Sequence, residues 1–140
     1  MKKKIRKFKI GFMQGRLVGS ENKQYYQFFP AQKWKKEFKL ASKANIKTLE
    51  LTANLINLSK NPVYNKRLKE IYYFEKKKNN LNIDSLTCDF FMEQPFFKLK
   101  KNSADYKIAT QTLMQTITTS QKIGIRKFVI PLVDNSSIKN

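Results

Sequence analysis

The sequence predicts an α/β chain of parallel strands joined by helical crossovers, and three observations carry that prediction. Runs with strand character open near residues 8, 47, 83 and 127, and stretches of helical periodicity lie between them. The interval from strand to strand is about 40 residues, the length of a β-α unit, and such alternation means parallel pairing. With 140 residues and 41% hydrophobic content, the chain has material for one core, so residues 1–140 are expected to form a single unit.

The elements follow in order. Residues 8–13 read as the first strand. Residues 33–44 read as an amphipathic helix, with Trp34, Phe38, Ala41 and Ala44 at helical spacing, and residues 47–52 as the second strand. Residues 66–78 then give a helix with Leu68, Ile71, Tyr72 and Phe74 available for burial, followed by a strand over 83–90. The third helix is predicted over 104–123, with Ile108, Ala109, Leu113, Ile117 and Ser120 on one side and Gly124 as its stop signal. Residues 126–133 make the fourth strand. Pro131 interrupts it and removes a ladder donor, which predicts a local bulge.

Four such units fit either an open doubly wound sheet or the first half of a (β/α)8 barrel. Side-chain parity favours the barrel. The central strands of an open parallel sheet are covered on both faces and should be apolar on both. Here Thr48, Glu50 and Thr52 alternate with Leu49 and Leu51, and Ser85, Thr87 and Asp89 alternate with Leu86, Cys88 and Phe90. One face of each strand is polar. In a barrel that face points inward, toward chemistry at the C-terminal strand ends.

Composition excludes several function classes. Cys88 is the single cysteine and there is no histidine, so an internal disulfide, a Cys/His zinc site and a histidine-based catalytic pair are ruled out within the chain. The basic opening MKKKIRKFK is followed by an apolar run that Gln14, Gly15 and Arg16 break at once, too short for a secretory segment. No run approaches the roughly 20 apolar residues that span a bilayer, so no membrane is expected and the cytoplasm is the expected compartment. A net charge of +19 invites a nucleic-acid partner. The lysines are spread over every segment, however, and no nucleic-acid-binding signature accompanies them, so nucleic acid is not the expected partner.

Each predicted strand ends in a polar loop: Gln14-Gly15-Arg16, Thr52-Ala53-Asn54, Asp89-Phe90-Phe91-Met92 and Asp134-Asn135-Ser136-Ser137. The runs IGFMQGRL, FPAQKWKKEFKLASKANIKTLEL, SLTCDFFMEQPF and FVIPLVDNSSI, in that order, resemble the N-terminal half of the sugar phosphate isomerase/epimerase family. These are xylose isomerase-like TIM barrels, in a superfamily that also holds DNA-repair enzymes of the endonuclease IV type. The resemblance implies metal-assisted proton transfer next to a sugar carbonyl, with a divalent ion of the Mn/Mg/Zn/Co class. The family's ligands, Glu, Asp, His and Glu, come from strands of the second half of the barrel, so none of the residues here inherits a metal-ligand or catalytic role.

The first-half residues are expected to bind substrate. Gln14 and Arg16 can clamp a phosphate, carboxylate or sugar hydroxyl, since a guanidinium offers forked donors and Gly15 lets the backbone come close; the competing reading is an ordinary surface arginine in a turn. Glu50 can take a sugar hydroxyl, or be a buried carboxylate paired with a neighbouring strand. Asp89 and Asp134 end strands at the same mouth, and Asp134 with the residues after it can equally cap a helix. Cys88 and Trp34 read as core residues.

A lone half-barrel leaves open strand edges and a bare polar face. The sequence therefore reads as a truncated or split half, inactive by itself, that pairs with a complementary C-terminal half or as a homodimer. Its ligand would be a sugar or sugar phosphate. The rival readings are a non-catalytic half-barrel that binds a small anion or sugar, and, more weakly, a basic nucleic-acid-binding domain.

Overall fold

The structure is a computed structural model of the chain, and it describes residues 10–19 and 28–138. Strands β1 (Gly11–Met13), β2 (Thr48–Ala53), β3 (Asn82–Cys88) and β4 (Lys127–Val129) form one sheet in the order β1-β2-β3-β4, and every neighbouring pair is parallel. Helices α1 (Trp34–Lys43), α2 (Lys66–Lys78) and α4 (Ala104–Gln121) make the crossovers, and a short helix α3 (Phe90–Glu93) follows β3 directly. The α/β class and its β-α alternation are therefore as the sequence predicts. Phe8 and Lys9 of the predicted first strand lie outside the described residues.

One face of the sheet holds the core. Leu49, Leu51, Ile83, Leu86 and Cys88 pack with Phe38 and Ala41 of α1, Tyr72 of α2, and Ile123 and Ile125 after α4. Trp34 is buried and meets Phe38 edge to face at 5.2 Å, as its packing role requires. Residues in register on parallel strands share a face. The pairs Met13–Glu50, Glu50–Ser85, Ser85–Lys127 and Thr87–Val129 thus line the other face, where Glu50 and Ser85 are half-buried and Lys127 and Val129 exposed.

The three long helices enter their following strands by the same turn. Asn45, Asn80 and Gly124 take left-handed backbone, with φ of 56°, 52° and 84°. The next residue's N–H then reaches back to a helix carbonyl: Ile46 to Ala41 at 2.9 Å, Leu81 to Lys76 at 3.0 Å and Ile125 to Ser120 at 3.1 Å. This closes each helix C-terminus and tucks an apolar residue under it. At the starts of helices, Asn65 Oδ1 accepts from the Arg67 N–H at 3.0 Å and Ser103 Oγ from the Tyr106 N–H at 3.2 Å.

Several expectations are corrected. On α2 the buried residues are Tyr72 and Glu75, while Ile71 and Phe74 are exposed; at about 100° per residue, Phe74 falls on the far side from Tyr72. On α4 the small residues Ala109, Thr116 and Ser120 face inward and leave Ile108 and Ile117 exposed. Ala44 is exposed because α1 ends before it. β4 stops at Val129, short of Pro131, so the proline ends the strand and does not bulge it. The irregular register lies instead between β2 and β3, at Thr48 to Glu50. β3 ends at Cys88, and Asp89 opens the α3 turn.

Candidate functional site

The C-terminal strand ends gather most of the predicted residues. Where β1 stops, Gln14 continues its pairing: its N–H donates to the Glu50 carbonyl at 2.8 Å, and its side-chain oxygen accepts from the Thr52 N–H at 3.2 Å. The side chain is 1% exposed, and its Nε2 has no hydrogen-bond partner. Half of this amide is thus a structural bridge between β1 and β2, and only the Nε2 end is left for other contacts.

Gly15 follows with φ of 92°, and a Cβ there would lie 2.6 Å from the Phe28 carbonyl oxygen, so glycine is required for conformation and for space. The loop is held from below by Glu37 on α1. Its Oε1 accepts from the Gly15 N–H at 2.8 Å and the Leu17 N–H at 3.0 Å. Glu37 is fully buried; desolvation raises its pKa, and the backbone N–H groups of the loop oppose that. Sequence reasoning missed it. The available signal was an acid on the helix face that buries Trp34, Phe38 and Ala41, a position where a carboxylate needs a built partner.

On β2, Glu50 is half-buried and accepts from Thr87 Oγ1 on β3 at 2.6 Å. The neighbouring-strand partner expected of a structural carboxylate is therefore present. Beyond β2, Asn54 Oδ1 takes the Phe29 N–H at 3.3 Å and Asn61 Nδ2 donates to the Thr52 carbonyl at 2.8 Å, which fixes the loop floor.

Asp89 is the most unusual group of the mouth. It is 3% exposed, and neither carboxylate oxygen has a hydrogen-bond partner among the described residues. Burial pushes its pKa up to about 7, the charges of Glu93 and Glu50 push the same way, and Arg16 opposes them. Asp89 is thus poised between its two protonation states at neutral pH, inside the electrostatic reach of Glu50 and Arg16. Arg16 itself is exposed. Thr52, fully buried beside these residues on β2, has an unpartnered Oγ1.

Asp134 stands apart. It is exposed on a 3-10 turn, Asp134–Ser136, with φ of 51°. The capping role expected of it belongs to Ser136, whose Oγ accepts from the Val133 N–H at 3.1 Å and lies 2.6 Å from the Pro131 carbonyl oxygen. The turn packs against α3, which follows Asp89.

Cys88 is buried in the core, where desolvation pushes its thiol up to about 12, as suits an inert packing residue. A cleft of about 310 Å³ lies on the outer side of the same end, lined by Glu93, Pro95, Leu99, Asp105 and Ile108 among others. No group of three or more His, Cys, Asp or Glu residues that could hold a metal ion occurs among the described residues. The carboxylates of Glu50, Asp89 and Asp134 thus do not gather into such a set among the described residues. No helix among the described residues is long and apolar enough to cross a membrane.

No protein-family model, no curated protein and no solved structure matches this chain.

Proposed function

We propose that the chain is the N-terminal half of a (β/α)8 barrel of the sugar phosphate isomerase/epimerase type, and that its strand mouth supplies substrate-side contacts for proton transfer next to a sugar carbonyl. One observation carries this reading. An all-parallel sheet in unbroken chain order has one helix-packed face and one polar face, and buried unpartnered polar atoms of Gln14, Thr52 and Asp89 sit at its C-terminal end. A doubly wound sheet reverses its strand order at a switch point, and none of these four strands does so. Barrel enzymes place their chemistry at the end where these atoms lie.

In this reading Asp89, Glu50 and the Gln14 Nε2 contact sugar hydroxyls, Arg16 meets an anionic end of the substrate, and Asp134 borders the mouth from the turn beyond β4. The divalent ion and its Glu, Asp, His and Glu ligands come from a complementary half. The residues described here supply no such set. A cytoplasmic setting accords with a free, buried Cys88.

The test is complementation. The purified chain is mixed with a polypeptide carrying four metal-ligating β-α units, and ketose epimerisation with manganese is followed. A defined heterodimer with activity, and no activity in the chain alone, is the expected result. Activity in the isolated chain, or no complex with any such half, would overturn the reading. Self-association has an observation in its favour as well, since Val129, Leu132, Val133 and Ile138 along and beyond β4 are exposed. Light scattering on the isolated chain separates a homodimer from a monomer.

A further inference from the structure

We infer that Glu37 is the positioning residue of the strand mouth: its carboxylate fills, from inside the fold, an anion cradle made by the backbone amides of the β1–α1 loop, and so holds Arg16 within reach of Asp89. This stands apart from the isomerase reading, because it concerns how the mouth is built and not what enters it.

Successive backbone N–H groups that converge on one point form a nest for a negative charge. In this loop the amides of Gly15 and Leu17 both donate to one carboxylate oxygen, Glu37 Oε1, at 2.8 Å and 3.0 Å, with Arg16 between them. Such a loop after the first strand of an α/β unit is where an external anion would bind by backbone contacts. Here that place is already taken. An anion approaching the mouth therefore meets the Arg16 side chain and not the loop amides.

The cradle is shaped for this occupant. Gly15 has φ of 92°, and its α-carbon packs so close to the Phe28 carbonyl that no side chain fits between them. Glu37 is 0% exposed, on the face of α1 that also buries Trp34, Phe38 and Ala41. A carboxylate is retained in that apolar stripe despite its desolvation cost, and the Gly15 and Leu17 amides are what meets it. Its second oxygen, Oε2, has no partner, so the loop N–H groups are its anchorage. The consequence falls on the mouth. Gln14 and Arg16 flank Gly15, and the Arg16 charge is the one that counters the effect of Glu93 and Glu50 on Asp89.

The experiment reads Asp89 as the reporter, by carbon-13 NMR titration of its carboxyl in the full 140-residue chain. Among the described residues, the charged groups acting on it are Glu93, Glu50 and Arg16. Glu37→Ala should raise the Asp89 midpoint by about half a pH unit, in the same direction as Arg16→Gln, because the released loop carries Arg16 away. Acetate should then refill the cradle, returning the Gly15 and Leu17 amide signals and the Asp89 midpoint toward wild type; sodium chloride at matched ionic strength should not. Glu37→Gln keeps an acceptor oxygen and should leave the midpoint near its wild-type value.

A residue that only stabilised α1 would lower the melting temperature without moving Asp89. An unchanged Asp89 midpoint in Glu37→Ala, or acetate acting no differently from chloride, would overturn the inference. If Glu37→Ala does not fold, Glu37→Asp takes its place: the shorter acid withdraws the oxygen from the amides, and a midpoint unmoved in that variant overturns the inference equally.

Discussion

The two ends of this sheet are built on opposite terms. At the N-terminal end, three helices deliver the chain into β2, β3 and β4 by one repeated turn, in which Asn45, Asn80 and Gly124 adopt left-handed backbone and the next residue's N–H closes the helix. The sheet opens with paired backbone groups there: Asn82 N–H to the Lys47 carbonyl at 2.6 Å and Arg126 N–H to the Asp84 carbonyl at 2.8 Å. At the C-terminal end β2 and β3 stop together at Ala53 and Cys88, and buried polar atoms on Gln14, Thr52 and Asp89 go without partners among the described residues. Folded proteins leave few such atoms, since each costs about 1–3 kcal/mol. One end repeats a structural solution, with Ser120 Oγ as its unpartnered buried atom; the other gathers three such residues, a local cost of the kind that functional sites carry.

The largest expected effect comes from Asp89. Its carboxyl lies at about 7 in the folded chain, against about 3.9 in an unfolded one. The folded state therefore binds the extra proton between those values, and stability falls as pH rises from about 4 through about 7, then levels off. The fall attributable to this group is on the order of 2–4 kcal/mol. Urea unfolding at a series of pH values should show it, and Asp89→Asn should remove most of that slope and be more stable than wild type at pH 8. A slope unchanged by the substitution would mean that the carboxyl has a partner after all, and the contrast between the ends would weaken.

A smaller effect tests the repeated turn. Gly124 has φ of 84°, and a Cβ there would meet only Lys76 Nζ at 3.9 Å, so the obstacle to a side chain is conformational and not steric. Gly124→Ala should cost about 1 kcal/mol, and Gly124→Asn only a few tenths, because asparagine tolerates left-handed backbone. Asparagine already does this work at positions 45 and 80. Equal losses from both variants in thermal unfolding would show that the three turns are not equivalent.

The difference between the ends also explains what was legible in the sequence. The β-α alternation, the bounds of α2 and the polar face of β2 follow from local periodicity, which regular elements display directly. Gln14 and Asp89 could be placed at strand ends, and Glu50 on the polar face of β2, because such positions are short steps from those elements. Glu37 was not, because its meaning comes from a contact 22 residues away, with Gly15. The left-handed asparagines carried a local signal, an Asn followed by Ile or Leu, but it is a weaker stop than glycine. Ile71, Phe74, Ile108 and Ile117 misled for another reason: hydrophobicity alone does not say which side of a helix faces the sheet when a tyrosine or a threonine takes the inner position. The Asp134 cap failed because Ser136 reaches back to the same turn.

The smallest effect sets the two ends against each other directly. At the start of β3, Asp84 pairs with Lys127 at 3.1 Å and Arg126 at 3.4 Å, and both cations are largely exposed, at 69% and 78%. The hydrogen bond from Lys127 leads in holding the Asp84 carboxyl below its ordinary range. The sign is opposite to that of Asp89: a depressed carboxyl adds stability above the unfolded value, and that stability is lost as pH falls through the folded one. The exposure of its partners keeps the amount small, so Asp84→Asn should cost about 0.5 kcal/mol at pH 7, and less still in 1 M salt. As pH falls below the depressed Asp84 value, the variant and wild type should converge. A double variant with Asp89→Asn should show both changes added, since the two groups sit at opposite ends of β3 and share no partner. Additivity would mean that the satisfied end and the unsatisfied end set their own contributions to stability; a coupling above about 0.5 kcal/mol would mean that β3 transmits strain between them.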